Sequence, residues 1–500
     1  MAESTTPGIT AALDEAPLSR FHRRAVLTSG MGFFTDAYDL FIVGAASTLI
    51  AAQWNLSTAQ TGLINSISLL AAFLGAFFFG RVADLAGRKR TYGLLAILMV
   101  VGALASAFAP SLAWLLAARF VLGVGVGGDY PVSAVLMTEY SNRSNRGKLV
   151  GLVFSMQALG TMAGYAAGLI LLGTGVDHGL VWRLLLGFGA IPAACVIYLR
   201  HKMPESPRFT AQVRGDGAAA AAHLSSYTDG AVLASGAAEA GPAAGTSRLS
   251  SLLRNRRHLR TLLGTAGAWF VFDYAYYGNS VSAPLIVKSV LGGGTHSLTQ
   301  TLGLNLIVFT VAAAPGYYLA TVYMDRIGHR RLQLIGFTFM GLAFLLIGVI
   351  PGITTMVLPF LILFGISYFF AEFGPNTTTF VMGAEVFPTA VRSTAHGIAS
   401  GFAKVGAFIG VFLFPVIQRN LGTAGALELS AGFSLLGVLL TLLVPETAGR
   451  SLDEISAEPA AATPVAATAD AVTPDAPTPA VVAAAEKIAV EGAREQSIGI

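Results

Sequence analysis

The chain is poor in charge. Asp, Glu, Lys and Arg make up 12% of its 500 residues, against about a quarter in soluble domains. It has one cysteine, Cys195, so no disulfide can close within it; placed inside an apolar run, that thiol is expected to be inert packing. The eight histidines fall near the ends of apolar runs or between them, and no metal site is read from them. There is no nucleophile–base set, no metal cluster and no glycine loop behind a strand, so an enzyme reading finds no support and no cofactor is implied. The net charge of +4 is not gathered into a basic stripe, and nucleic acid is not implied. The stretch "MAESTTPGITAALDEAPLSR" has no apolar centre, so no cleavable signal peptide is expected.

Hydrophobicity is abundant, at 54% of residues. Runs of roughly 20 apolar residues, enough to span a bilayer, recur along the chain. Twelve are read, at 25–52, 60–82, 91–110, 112–139, 147–173, 179–199, 260–289, 297–323, 331–350, 354–382, 392–418 and 425–444. The expected fold class is therefore an all-α, multi-pass membrane protein of twelve transmembrane helices. Arg20, Arg23 and Arg24 precede the first run. Arg88, Lys89 and Arg90 follow the second, Arg143, Arg146 and Lys148 the fourth, and Arg326, Arg330 and Arg331 the eighth. The other loops hold few cations, such as Lys288 and Arg419, so both termini are expected in the cytoplasm. Residues 215–247 are rich in Ala and Gly, and 457–491 in Ala, Pro and Thr; both are expected to be disordered.

The chain repeats itself. "DLAGRKR" from Asp84 returns as "DRIGHRR" from Asp325, an offset of 241. "PESPR" from Pro204 returns as "PETAGR" from Pro445, again at 241. Glu139 and Arg146 stand seven residues apart, as do Glu385 and Arg392. Such self-similarity implies a duplicated unit. The expected organisation is an N-terminal tail (1–24), a six-helix bundle (25–199), a cytoplasmic linker (200–259), a second bundle (260–445) and a C-terminal tail (446–500). Two pseudo-symmetric halves support alternating access around a midplane site. Asp84, Arg88, Glu139, Arg146, Asp325, Glu385 and Arg392 all fall on the cytoplasmic side. They are expected to form a charge network that locks the halves without touching substrate.

Charges inside a bilayer are costly, so each is a functional candidate. Counted from the nearer face at about 1.5 Å per residue, Asp36, Gln157, Asp273 and Lys404 share one depth. Asp36 and Asp39 lie one turn apart on one face of the first run; two carboxylates so close resist ionising together, which suits a proton carrier. Trp269, Asp273 and Tyr277 follow i, i+4, i+8 spacing and form one polar-tipped stripe. In "GVGVGGDYPVSAVLMTEY" the small residues allow close helix approach, and Asp129 and Tyr130 bring an acid and a phenol beside the cavity. In "FGPNTTTF", Gly374 and Pro375 loosen the helix near Asn376 and Thr377.

The halves, the "GRVAD" and "GRKR" segments and the PES and PET turns resemble the major facilitator superfamily over roughly residues 25–455. "GFFTDAYDLF", "GGDYPVS", "WFVFDYAYYG" and "FGPNTTTF…AEVFPTAVRSTAHG" resemble its phosphate:proton symporter branch. The resemblance implies inorganic phosphate and protons as partners, with arsenate as competitor, in the plasma membrane. It implies Tyr130, Gln157, Trp269, Asp273, Tyr277 and Asn376 around phosphate, Lys404 lining the cavity, and Asp36, Asp39 and Asp129 handling the proton. Two positions depart from the branch: Glu372 stands where eukaryotic members carry asparagine, and Gly383 where they carry proline. The same fold could carry a sugar or an aromatic or other organic acid, although a saccharide site would hold more amides and would not need Lys404. A nutrient receptor that binds without transport is the third reading, weakened by the lack of a recognisable soluble signalling domain.

Overall fold

The structure is a computed structural model that describes residues 7–228, 230, 232, 249–290 and 298–456. Among the described residues, ten helices are long and apolar enough to cross a membrane. Two further spans complete a set of twelve among the described residues. Arg256–Val281 carries more polar side chains than the rest. Arg392–Thr441 is two spans joined at Gly422, whose φ of 71° no helix contains. Spans 1 to 6 are Arg20–Trp54, Thr58–Ala86, Arg88–Ala107, Leu112–Tyr140, Arg146–Gly173 and His178–Lys202. Spans 7 to 10 are Arg256–Val281, Leu298–Ile327, His329–Val349 and Val357–Glu385. Spans 11 and 12 lie on either side of Gly422.

Local chemistry sets the ends. Ser57 and Gln60 form a capping box at span 2 and Ser111 caps span 4, each oxygen accepting from a first-turn N–H that has no helical partner. Gly87 and Gly328 join spans 2–3 and 8–9 with φ of 102° and 101°, a region open to glycine and strained for other residues.

Three expectations are corrected. Span 7 does not run to residue 289: the helix ends at Val281 and a separate one, Ala283–Val290, follows, because Pro284 has no N–H to continue the ladder. The linker is not wholly irregular. Gly217–Tyr227 is helical, capped by Asp216, which accepts from Ala219 N, and built on five alanines at 218–222, the strongest helix former. Cys195 is exposed on the outer side of span 6 and packs no core. Residues 229, 231 and 233–247 of the 215–247 stretch, and all of 457–491, lie outside the described residues.

The duplication is visible in the packing. Span 2 lies along span 11 and span 5 along span 8, the same contact six spans on. Spans 2 and 4 touch backbone to backbone: a Cβ on Gly127 would sit 2.0 Å from Ala72 O. This is the small-residue packing expected of the glycine run in span 4. Where the halves meet, Phe33, Tyr130, Phe154, Trp269 and Phe380 pack edge and face at ring separations of 4.5 to 6.3 Å.

Candidate functional site

The polar groups that share one depth meet between the halves. Tyr130 of span 4 donates to Asp36 Oδ2 of span 1 at 2.7 Å. Gln157 of span 5 donates from Nε2 to the Tyr130 hydroxyl at 2.9 Å and to Asp36 Oδ2 at 3.3 Å. Across the interface, Tyr317 of span 8 donates to Gln157 Oε1 at 3.1 Å, and Asn376 Nδ2 of span 10 donates to the Tyr317 hydroxyl at 2.8 Å and to Glu372 Oε2 at 2.6 Å. One hydrogen-bonded chain thus runs from Asp36 to Glu372 through both halves.

Beside it stands the one lysine of the centre. Lys404 of span 11 lies 3.0 Å from Asp273 Oδ2 and 3.4 Å from the Tyr277 hydroxyl. Its ammonium also sits 4.4 Å from the Tyr130 ring centre and 4.5 Å from that of Tyr277, within cation–π range. Every one of these groups is buried. Asp273 Oδ1 and Asn376 Oδ1 have no hydrogen-bond partner among the described residues. Trp269 packs edge-on to His396 at 5.4 Å, and Gly383 sits against the same imidazole, where a Cβ would come within 3.2 Å.

The other two intramembrane aspartates are placed differently. Asp39 pairs with Arg119 of span 4. Asp129 faces away from Tyr130, its neighbour in sequence, because consecutive helical side chains diverge. It meets both terminal nitrogens of Arg200 in span 6, at 2.7 and 3.0 Å, and Arg200 stacks over Tyr92 at 4.0 Å. These are fork-to-carboxylate contacts that hold two buried charges neutral.

At the Arg-rich end the seven network residues form two clusters related by the repeat. Glu139 accepts from Arg88 and from Arg392, both at 3.1 Å; Glu385 accepts from Arg146 at 2.8 Å. Each cluster therefore joins span 4 or 5 of one half to span 10 or 11 of the other. Asp84 lies 3.2 Å from Arg88 and accepts from Ser393 N and Thr394 N, at 3.1 and 2.6 Å. Asp325 accepts from Gly147 N and Lys148 N, at 3.1 and 2.8 Å. Each aspartate caps a span that belongs to the opposite half, where first-turn N–H groups and the helix dipole favour an anion. The PES and PET glutamates repeat the device within each half. Glu205 accepts from Arg88 N and Lys89 N, at 3.2 and 3.3 Å, and Glu446 from His329 N at 2.8 Å.

Sequence reading missed several members. Arg119 interrupts "WLLAARFVLGV" and could have been flagged as a buried charge; Arg200 sits where a span-end cation is ordinary. Tyr317 gives no signal, since one tyrosine in an apolar run reads as core. His329 takes the place of Arg88 in the second half, 241 residues on. Its two ring nitrogens lie 3.0 Å from Glu385 Oε2 and 3.1 Å from Asp325 Oδ1.

Two duplicated six-span halves, clasped at one end by crossed carboxylates and holding a polar centre between them, define a transporter of the major facilitator class. Residues 25–458 match the family described as "Sugar (and other) transporter". The chain is 34% identical to a probable inorganic phosphate transporter 1-6 of Arabidopsis thaliana, over 92% of this chain and 98% of that one. It is 35% identical to the low affinity inorganic phosphate transporter 8 of Medicago truncatula, over 91% and 94%. Among solved structures it is similar in fold to the proton:xylose symporter XylE bound to 6-bromo-6-deoxy-D-glucose, with a TM-score of 0.74 at 18% identity, covering 87% of this chain and 98% of that one. The chain belongs to the major facilitator superfamily and, within it, to the family of these inorganic phosphate transporters.

Proposed function

We propose that this protein takes up inorganic phosphate together with protons by alternating access. The observation that carries the reading is Lys404, a buried cation at the meeting of the halves, flanked by Asp273, Tyr130 and Tyr277. An ammonium there attracts an anion. Asp273 Oδ1, without a hydrogen-bond partner among the described residues, accepts from a P–OH group, which monobasic phosphate carries and sulfate lacks at neutral pH. Tyr130, Gln157, Tyr277, Asn376 and the Trp269 indole N–H supply donors to the remaining oxygens. Arsenate, with the same shape and protonation, competes. The family name carried by its relatives supports the same substrate.

The open space lined by Asp36, Asp39 and Lys404 is ≈ 10 Å³, room for about one water. Phosphate therefore enters only as Lys404 and Asp273 part. Asp36, held by two neutral donors and in no ion pair among the described residues, carries the coupled proton. Asp39 and Asp129 balance the charges of Arg119 and Arg200 and so act on the proton path through position. The bundles 25–199 and 260–445 rock about this centre. The crossed clusters hold the Arg-rich, cytoplasmic side shut while the site faces outward from the plasma membrane, with both termini in the cytoplasm.

The test is uptake of labelled phosphate into proteoliposomes under an inward proton gradient. The parent chain is expected to accumulate phosphate, and Asp273→Asn and Asp36→Asn to lose gradient-driven accumulation. A folded parent that moves no phosphate would overturn the substrate assignment.

A further inference from the structure

Five buried carboxyls lie inside the spans away from the Arg-rich clusters: Asp36, Asp39, Asp129, Asp273 and Glu372. Three have cations, namely Arg119, Arg200 and Lys404. Asp36 and Glu372 form no ion pair among the described residues, although Lys404 also acts on Asp36 across the small space that Lys404 and Asp36 line, and the two acids are the ends of the hydrogen-bonded chain that crosses between the halves. A buried carboxylate without a cation is costly to keep ionised, so two surplus acids leave two places for protons.

Glu372 is built into the protein with some care. It opens the π-helical turn Glu372–Asn376 in the middle of span 10, a distortion that recurs at functional positions. Gly316 brings span 8 against it: a Cβ there would sit 3.0 Å from Glu372 Cβ and 2.5 Å from Phe369 O. The side chain is fully buried. Oε2 accepts from Asn376; Oε1 and the buried Tyr276 hydroxyl have no other partner among the described residues and interact with each other. The titratable groups that face it are Tyr276 of span 7, Tyr317 of span 8 and Tyr368 of its own span; span 9 packs on the turn through Gly336 and Leu332, against Gly374. The surroundings are phenols and an amide, which suit a carboxylic acid in either protonation state and favour neither by charge.

We propose that Glu372 is a second binding site for a transported proton, so that each cycle carries two protons with one monobasic phosphate. This rests on the proton-coupled phosphate reading. Asp36 takes one proton and Glu372 the other from the outer side. Both protons leave to the inner side with phosphate, and one net positive charge crosses per cycle. The link through Asn376 and Tyr317 to Gln157 makes the load on Glu372 sensible at the anion site.

The experiment measures net charge per phosphate in proteoliposomes holding the parent chain, Glu372→Gln and Glu372→Asp. Labelled uptake is driven by an imposed inside-negative potential at equal pH, and phosphate exchange at zero gradient is measured in parallel. Exchange needs no net proton movement, so it reports folding and substrate binding. The parent is expected to move one positive charge per phosphate. Glu372→Gln is expected to keep exchange within about twofold and lose the response to potential, and Glu372→Asp to keep both. A parent that exchanges phosphate but moves no charge would overturn the inference alone, as would a Glu372→Gln protein that still responds to potential. If Gln abolishes exchange, loss of potential response in an exchange-competent Glu372→Asp protein would equally overturn it. Absence of both uptake and exchange in the folded parent would overturn the phosphate reading, and the inference with it.

Discussion

Asp36 and Asp39 stand one turn apart on the same span, yet share no partner: Asp36 accepts from Tyr130 and Gln157, and Asp39 pairs with Arg119. The two acids therefore fail differently when altered. Asp39→Asn leaves the fully buried Arg119 guanidinium without its anion and is expected to destabilise the protein by about 3–5 kcal/mol, the range for breaking a buried pair from one side. Replacing both partners with leucine is expected to regain most of that loss. Thermal unfolding in detergent separates the cases; equal stability of the single and double variants would sink the idea. Asp36→Asn, by contrast, is expected to fold and to exchange phosphate.

The proposed anion site centres on Lys404. Lys404→Met strips Asp273 of its cation and the site of its positive charge. A hydrogen bond to a charged group contributes about 1.5–3 kcal/mol, so phosphate binding is expected to weaken about 10- to 100-fold. Lys404→Arg keeps the charge and should fall between. Equilibrium binding of labelled phosphate to purified protein reads the effect, and unchanged affinity in the Met variant would exclude direct anion contact.

Asp84 and Asp325 each cap a span of the other half. Asp84→Asn or Asp325→Asn is expected to cost the closed state about 0.5–2 kcal/mol, the usual worth of such a cap. Spin-label distances across the Arg-rich face should show a larger open fraction in either variant. The effects should add in the double variant, since the caps share no side chain. Distance distributions identical to the parent's would show that the caps do not hold the closed state.

Gly87 and Gly328 occupy equivalent turns with the same left-handed φ. A Cβ at either would come within 2.3 and 2.5 Å of the carboxylates of Glu205 and Glu446. Gly87→Ala and Gly328→Ala are each expected to lower stability by at least about 1–2 kcal/mol from backbone strain, plus whatever displacing the glutamate removes. Similar losses in melting temperature at the two sites would reflect the repeat; a neutral substitution at either would contradict the turn geometry.

Much of this was legible in the sequence because hydropathy and depth are local quantities. The repeat at 241 pointed to halves whose spans 2, 5, 8 and 11 do pack in equivalent pairs. Counting residues from the membrane face put Asp36, Gln157, Asp273 and Lys404 at one level, and there they meet. Partner choice is not local, and so it was hidden. Asp36 and Asp39 share a helical face but reach different neighbours. Asp129 and Tyr130 are consecutive but point apart. Arg200 reaches inward from a span end where a cation normally signals only topology. Tyr317 became visible only when a neighbouring half supplied Gln157 for it to bond. The break after Val281 and the helix at 217–227 were missed for a simpler reason: composition over a long window conceals one proline and one capped alanine run.

The crossed caps have a mechanical consequence. A carboxylate on span 2 seats on the start of span 11, and its counterpart on span 8 seats on the start of span 5, so the Arg-rich end is pinned at two separate points rather than along one seam. Tilting one half about either pin strains the other. The end should consequently release as a unit, with few half-released forms, and the cycle should leak little while one face is changing places with the other.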